Sequence, residues 1–307
     1  MRASDLFILL VLAGLWSLGF VFTRELAPAI GPMPTAAARV VLAGGFLACV
    51  ILARRLPWRF EGKLAAALGI GVVNSGIPFA MYSFAAQYLP AGYSVILNAT
   101  TPLMGVILGA AFFHERLTVY KIAGAVCGIA GVAILTGAGP VAVNLQVLLG
   151  CAACLVAAAC YGLAAFLTRR WIYQRGELDN LLLALASQAG AVVLLVPLAA
   201  GTGLAQPASG LAVGSLAVPI LALGLLCTGL AYLLYFRLLA RIGPQRVLTV
   251  TFIMPPFGVL WGAVLLDEAL SWAHLWGGLA ILLAVYLGLK ASPDPGARDR
   301  TADTDGK

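Results

Sequence analysis

Polar side chains are scarce in this chain, and many stand alone inside long apolar runs, where each costs free energy unless it faces a partner or a cavity. Well away from the run ends lie Asn74, Ser75, Asn98, Thr100, Thr101, Gln188, Thr228, Thr249 and Thr251. Aromatic residues with polar tips accompany them: Trp16, Tyr82, Tyr161, Tyr232, Tyr235 and Trp261. Donors and acceptors set among apolar walls are the makings of a small-molecule chamber. The chemistry they offer is recognition, with no bond made or broken. A lone Ser or Thr serves equally well by bonding back to its own helix. A whole amide cannot be satisfied that way, which singles out Asn74, Asn98 and Gln188. The aromatics fit a chamber or a membrane-interface belt.

Arg39 is the one basic residue inside an apolar run on the side that is otherwise poor in basic residues. Two turns from the run's nearer end, it either snorkels outward or pairs with a carbonyl or a substrate carboxylate. Catalytic patterns are missing. Cys151-x-x-Cys154 has no second pair or neighbouring His to make a metal site. His114 and His274 fall near run ends, no phosphate-cradling glycine loop occurs, and no Asp or Glu sits at mid-run. The sequence therefore calls for no catalytic residue, metal or cofactor, and disfavours proton antiport through a buried acid.

What must position these groups follows from composition. Hydrophobic residues are 62% and charged residues 10%, against about 25% charged in a soluble domain. Apolar stretches long enough to cross a bilayer follow one another. Ten spans are predicted, over 6–23, 33–53, 64–86, 92–113, 121–137, 148–168, 181–200, 214–239, 247–266 and 273–289. The fold class is all-α integral membrane. Residues 291–307 lack an apolar period and read as a solvated, disordered tail. The first span is too long an apolar run for a cleaved signal peptide.

Of the 19 Lys and Arg, 17 fall in the tail, ahead of the first span or in loops following even-numbered spans; Arg24 and Arg39 are the exceptions. The positive-inside rule then makes both termini cytoplasmic. Membrane placement accounts for the net charge of +7 without a nucleic-acid partner.

The chain also repeats itself. TPLMGVILGAAFFHERL, beginning at Thr101, returns as MPPFGVLWGAVLLDEAL, beginning at Met254. One offset of 153 residues pairs Pro102 with Pro255, Gly105 with Gly258, Gly109 with Gly262 and Glu115 with Glu268. It also pairs Gly71 with Gly224, Gly76 with Gly229, Tyr82 with Tyr235 and Gly124 with Gly277. Earlier in each copy the offset is 145, pairing Thr23 and Arg24 with Thr168 and Arg169. The expected units are 1–140 and 141–290, each of five spans. An odd span number inverts the second copy, the architecture of many secondary transporters. The two G-x-x-x-G faces, Gly105/Gly109 and Gly258/Gly262, are expected to bring spans four and nine together. Pro102 and Pro255 release the carbonyls of Asn98 and Thr251, for a hinge, a ligand or a plain kink. Glu115 and Glu268 are expected to finish helices by bonding loop donors.

These features resemble the EamA type of the drug/metabolite transporter superfamily and, within it, YddG-like amino-acid exporters. The resemblance rests on the ten-span length, on LWSLGFVFTRE around Trp16, on Arg39 in AARVVLAG, and on the twice-occurring P-x-x-G-x-x-x-G followed by Glu. It covers residues 6–289. It implies a five-plus-five helical basket in the bacterial inner membrane, with small-molecule substrate and lipid as its partners. Small multidrug-resistance members of that superfamily use a glutamate in the first span, which this chain lacks. The expected function is alternating-access export of amino acids, aromatic or otherwise neutral, or of similar metabolites. Export of cationic drugs or nucleobases, and an intramembrane enzyme or lipid-handling protein, are the competing readings. The oligomeric state is open, and a monomer suffices.

Overall fold

The computed structural model describes residues 2–112, 118–139, 141–176, 178–202, 213–243, 247 and 249–290. The described residues form helices and no sheet. In chain order these are α1 (Ala3–Ile30), α2 (Pro32–Ala53), α3 (Leu64–Ala85), α4 (Ala91–Asn98), α5 (Thr101–Phe112) and α6 (Val119–Gly137). Then follow α7 (Leu145–Arg175), α8 (Asn180–Gly201), α9 (Leu216–Ile242), α10 (Val250–Leu266) and α11 (Trp272–Lys290). Six of them, α1, α2, α3, α7, α8 and α9, are long and apolar enough to cross a membrane. The shortest of the six has 22 residues, about 33 Å of helix against a hydrocarbon core of about 30 Å. Helices α4 and α5 pass the same test as a pair, bent by 41°. The expected tail, the loop around 203–210 and Glu115 lie outside the described residues.

Local sequence explains where helices start and stop. Gly31 takes a φ of 92°, turning the chain between α1 and α2, a backbone state that suits glycine. Pro32 then supplies the first residue of α2, where a missing N–H costs nothing. Asn144 caps α7 through the Val147 amide at 2.9 Å, and Asp179 caps α8 through the Leu181 amide at 2.8 Å. The break between α4 and α5 falls just before Pro102, and the Asn98 carbonyl accepts from the Thr101 hydroxyl at 2.7 Å. One hydrogen bond thus answers that carbonyl locally.

Three helices contain π turns, over Val72–Gly76 in α3, Arg169–Tyr173 in α7 and Ala222–Leu230 in α9. A π turn inserts a residue and frequently marks a functional site. The first and third overlap when shifted by 153 residues, Ser75 falling on Thr228.

The tightest packing joins helices before residue 140 to helices after it. Helix α1 lies along α10, α2 along α8 and α9, α3 along α7 and α8, α5 along α7, α4 along α10, and α6 along α11. Small residues let them close in. A side chain at Gly71 would run into the Ser187 carbonyl, and one at Gly190 into that of Leu68. A Cβ at Gly224 would likewise meet Leu42, and one at Gly229 would meet Phe46. The second G-x-x-x-G face meets span four as expected, whereas the first turns to α7. Gly105 packs on Gly162 of α7, Gly258 packs on Val95 of α4, and Gly109 is buried within α5. The helices of spans four and nine do meet, but through α4 and α10.

At both ends of the bundle, charges also join these helices. Asp5, buried in the first turn of α1, lies 3.2 Å from Arg241 Nε of α9. Arg24 of α1 donates to the Ala86 carbonyl after α3. Glu268 accepts from the Ala91 amide at 2.6 Å and from the Gly92 amide at 3.1 Å, capping α4. A Cβ at Gly262 would collide with that carboxylate, so the second glycine of this motif makes room for its acid.

Candidate functional site

The polar and aromatic residues singled out in the sequence converge between α1, α2, α3, α4, α7, α8 and α9. Arg39 is in the third turn of α2, about 10 Å along it. Its Nε donates to Thr228 Oγ1 at 2.9 Å, and its guanidinium lies over the Phe79 ring, 3.8 Å from the centroid. A cation on an aromatic face is attracted by the ring quadrupole. Thr228 can receive this donor because its own hydroxyl proton goes to the Leu223 carbonyl, five residues back, at 2.8 Å. That bond belongs to the π turn. Tyr82, Tyr161 and Tyr232 are all within electrostatic reach of Arg39. Among the described residues no carboxylate pairs with it.

A second polar knot sits on α3 and α8. Gln188, fully buried, donates from Nε2 to Ser75 Oγ at 3.2 Å. Ser75 Oγ also lies 3.4 Å from Ser187 Oγ and 3.5 Å from Tyr232 Oη. Gln188 Oε1 is buried with no hydrogen-bond partner. Tyr232 thereby stands between the two knots, near Ser75 on one side and Arg39 on the other.

Aromatic rings connect the rest. Tyr82 donates to Asn98 Oδ1 at 2.8 Å, which fixes its ring against Tyr161 at 6.2 Å and edge-on to Phe20 at 5.0 Å. Trp16 and Tyr235 pair at 5.5 Å, Tyr235 meets Phe236 at 5.2 Å, and Tyr232 stacks on Phe236 at 6.0 Å. These are favourable ring separations. The rings form two groups, Phe20 with Tyr82 and Tyr161, and Trp16 with Tyr235, Phe236 and Tyr232.

Not every expected residue belongs. Asn74 shares the π turn of α3, but no hydrogen bond ties it to the cluster. Thr101 serves the α4–α5 break, and Thr251 sits in the first turn of α10. Trp261 donates to the Gly14 carbonyl at 3.2 Å and ties α10 to α1. Phe20, Phe79, Ser187 and Phe236 were missed. Phe79 lies three residues before Tyr82, Phe236 four after Tyr232 and Phe20 four after Trp16, so helical spacing from the chosen residues could have found these three, while the place of Ser187 beside Gln188 carries no such signal.

Among the described residues no group of His, Cys, Asp or Glu could hold a metal ion. An unneutralised guanidinium, hydroxyls, an amide and a wall of rings suit a small amphipathic solute bearing a carboxylate.

Comparison with known proteins follows the same line. A model described as the EamA-like transporter family matches residues 4–137 and again 148–289. Protein PecM of Dickeya dadantii is 26% identical over 89% of this chain and 88% of its own length. A probable amino-acid metabolite efflux pump of Salmonella typhimurium is 26% identical over 94% of this chain and 96% of its own. An uncharacterized transporter of Archaeoglobus fulgidus is 23% identical over 89% and 94%. A solved crystal structure shares the fold at a TM-score of 0.59, with 22% identity, covering 94% of this chain and 96% of that one.

Proposed function

Because this chain belongs to the EamA-like transporter family of the drug/metabolite transporter superfamily, we propose that it exports amino acids, or closely related small metabolites, through the Arg39 cluster. The observation that carries this reading is Arg39 itself. It is a guanidinium within the bundle that uses one donor on Thr228 and has no carboxylate partner among the described residues. Such a charge is costly unless something neutralises it. A substrate carboxylate would do so with two parallel bonds. The rings of Tyr82, Tyr161, Tyr232 and Tyr235 would receive an apolar or aromatic side chain. The same arginine opposes cationic drugs. The Salmonella relative, described as an amino-acid metabolite efflux pump, agrees with this choice of substrate class.

The transport mode proposed is alternating access by two inverted five-helix halves, 1–140 and 141–290, making ten spans with both termini cytoplasmic. Three observations support it. The family model matches the two halves separately. The packing scheme maps onto itself when the halves are exchanged, α2 on α9 corresponding to α3 on α8, and α1 on α10 to α5 on α7. The close approach of Gly71 to Ser187 corresponds to that of Gly224 to Leu42 under the offsets of 153 and 145 residues. With no Asp or Glu in the cluster, the proposed export runs down the solute gradient.

Reconstitution into liposomes with a panel of labelled amino acids, nucleobases and cationic drugs tests the proposal. Counterflow of neutral or aromatic amino acids is expected. A correctly folded protein that moves only cations, or nothing in the panel, rules it out.

A further inference from the structure

We propose that the crevice between α2, α8 and α9, at the arginine-rich end of the bundle, holds an anionic phospholipid. Its phosphodiester lies between Arg54 and Arg237, and one acyl chain follows α9. This rests on the membrane setting of the family and not on which solute is carried.

Leu230, Leu233, Leu234 and Arg237 fall at i, i+3, i+4 and i+7, so three leucines and one arginine share a single stripe of α9. All four line one cavity of about 600 Å³, with Arg54 and the first residues of α8 on its other side. The three leucines are half-buried, and both arginines are exposed and in no ion pair among the described residues. Among the described residues Asp179 is the one acid on the wall, and its carboxylate is engaged by the Leu181 amide at 2.8 Å and the Leu182 amide at 3.3 Å.

Two guanidiniums against one engaged carboxylate leave the mouth positive, and an apolar stripe runs away from it along the helix axis. A headgroup phosphate with an acyl chain has that same division of polarity. A free phosphate or a soluble carboxylate would use the arginines and leave the leucine stripe idle. Among the described residues Arg55, Arg59, Arg169 and Arg170 also flank this end, where Leu56, Phe60, Trp171 and Ile172 pack in one core with Leu181, as expected where a helix bundle meets anionic headgroups.

The test uses the full chain, purified in detergent, with native mass spectrometry reading retained lipid. Phosphatidylglycerol and phosphatidylcholine of identical acyl chains are offered at equal concentration. The wild type is expected to retain the anionic lipid with about tenfold preference, and the double substitution R54Q/R237Q to reduce that to within about twofold. Each single substitution should fall between, which decides the matter if the double variant folds poorly. Excess inorganic phosphate should not displace the lipid. Equal retention of both lipids by the wild type, undiminished preference in the substituted proteins, or displacement by inorganic phosphate would each overturn the inference.

Discussion

Gly262 gives Glu268 its place: a methyl group at 262 would occupy the position of the Glu268 carboxylate, which bonds the first two amides of α4. The turn after α10 is thereby fastened to the start of α4, across the two halves of the chain.

Glu268→Gln should lower stability by about 1 kcal/mol, in the range of a lost helix cap. Gly262→Ala should do the same by expelling the carboxylate. Because both act on one contact, the double variant should be little worse than the poorer single. Thermal unfolding in detergent reads all three, and additive losses would show that the glycine serves something else.

Arg39→Gln should reduce amino-acid transport by roughly tenfold to a hundredfold, the worth of a charge-assisted hydrogen bond. Arg39→Lys should recover only part of it, since an ammonium cannot present two parallel donors. Initial rates in proteoliposomes, measured across substrate concentration, should place the loss in KM. Equal transport by all three proteins would remove Arg39 from the substrate path.

Tyr82→Phe deletes the donor to Asn98 and leaves a buried amide oxygen unsatisfied, at a cost of about 1–3 kcal/mol. Pairing it with Asn98→Leu removes both polar groups and should restore much of that stability. A double-mutant cycle on melting temperature gives the coupling. Zero coupling would mean the hydrogen bond has no energetic role.

Gly71→Ala and Gly190→Ala push a methyl into backbone carbonyls of the neighbouring helix, Ser187 and Leu68 respectively. Backbone cannot yield as a side chain can, so each should cost about 1–3 kcal/mol. Gly45→Ala meets nothing within 4 Å and should be neutral or slightly stabilising through helix propensity. Melting temperatures of the three variants should separate into two groups.

The sequence disclosed much of this structure because the bilayer imposes simple arithmetic. Long apolar runs became helices, and several of the polar residues stranded inside them came together. Arg39, Ser75, Gln188, Thr228 and Tyr232 were all recognisable in this way. What stayed hidden was pairing between distant helices. Nothing in G-x-x-x-G spacing says that Gly105 should meet Gly162 while Gly258 meets Val95. Nor does the pattern tell a glycine that admits a helix from one that admits a carboxylate. The proline at the second position of α5 announced a break, but only the hydroxyl of Thr101 decided that the released carbonyl would be answered within its own chain segment.

The π turns of α3 and α9 bear on how the protein tolerates change in length. Each holds a surplus residue relative to an ordinary α-helix, so a one-codon deletion within Val72–Gly76 or Ala222–Leu230 would leave a regular helix rather than a broken one. Because that surplus residue is taken up within the π turn itself, everything downstream would keep nearly the same face. Tyr82 and Tyr235 would then still meet their ring partners, whereas the same deletion in an ordinary α turn just before either tyrosine would swing it by about 100° around the axis.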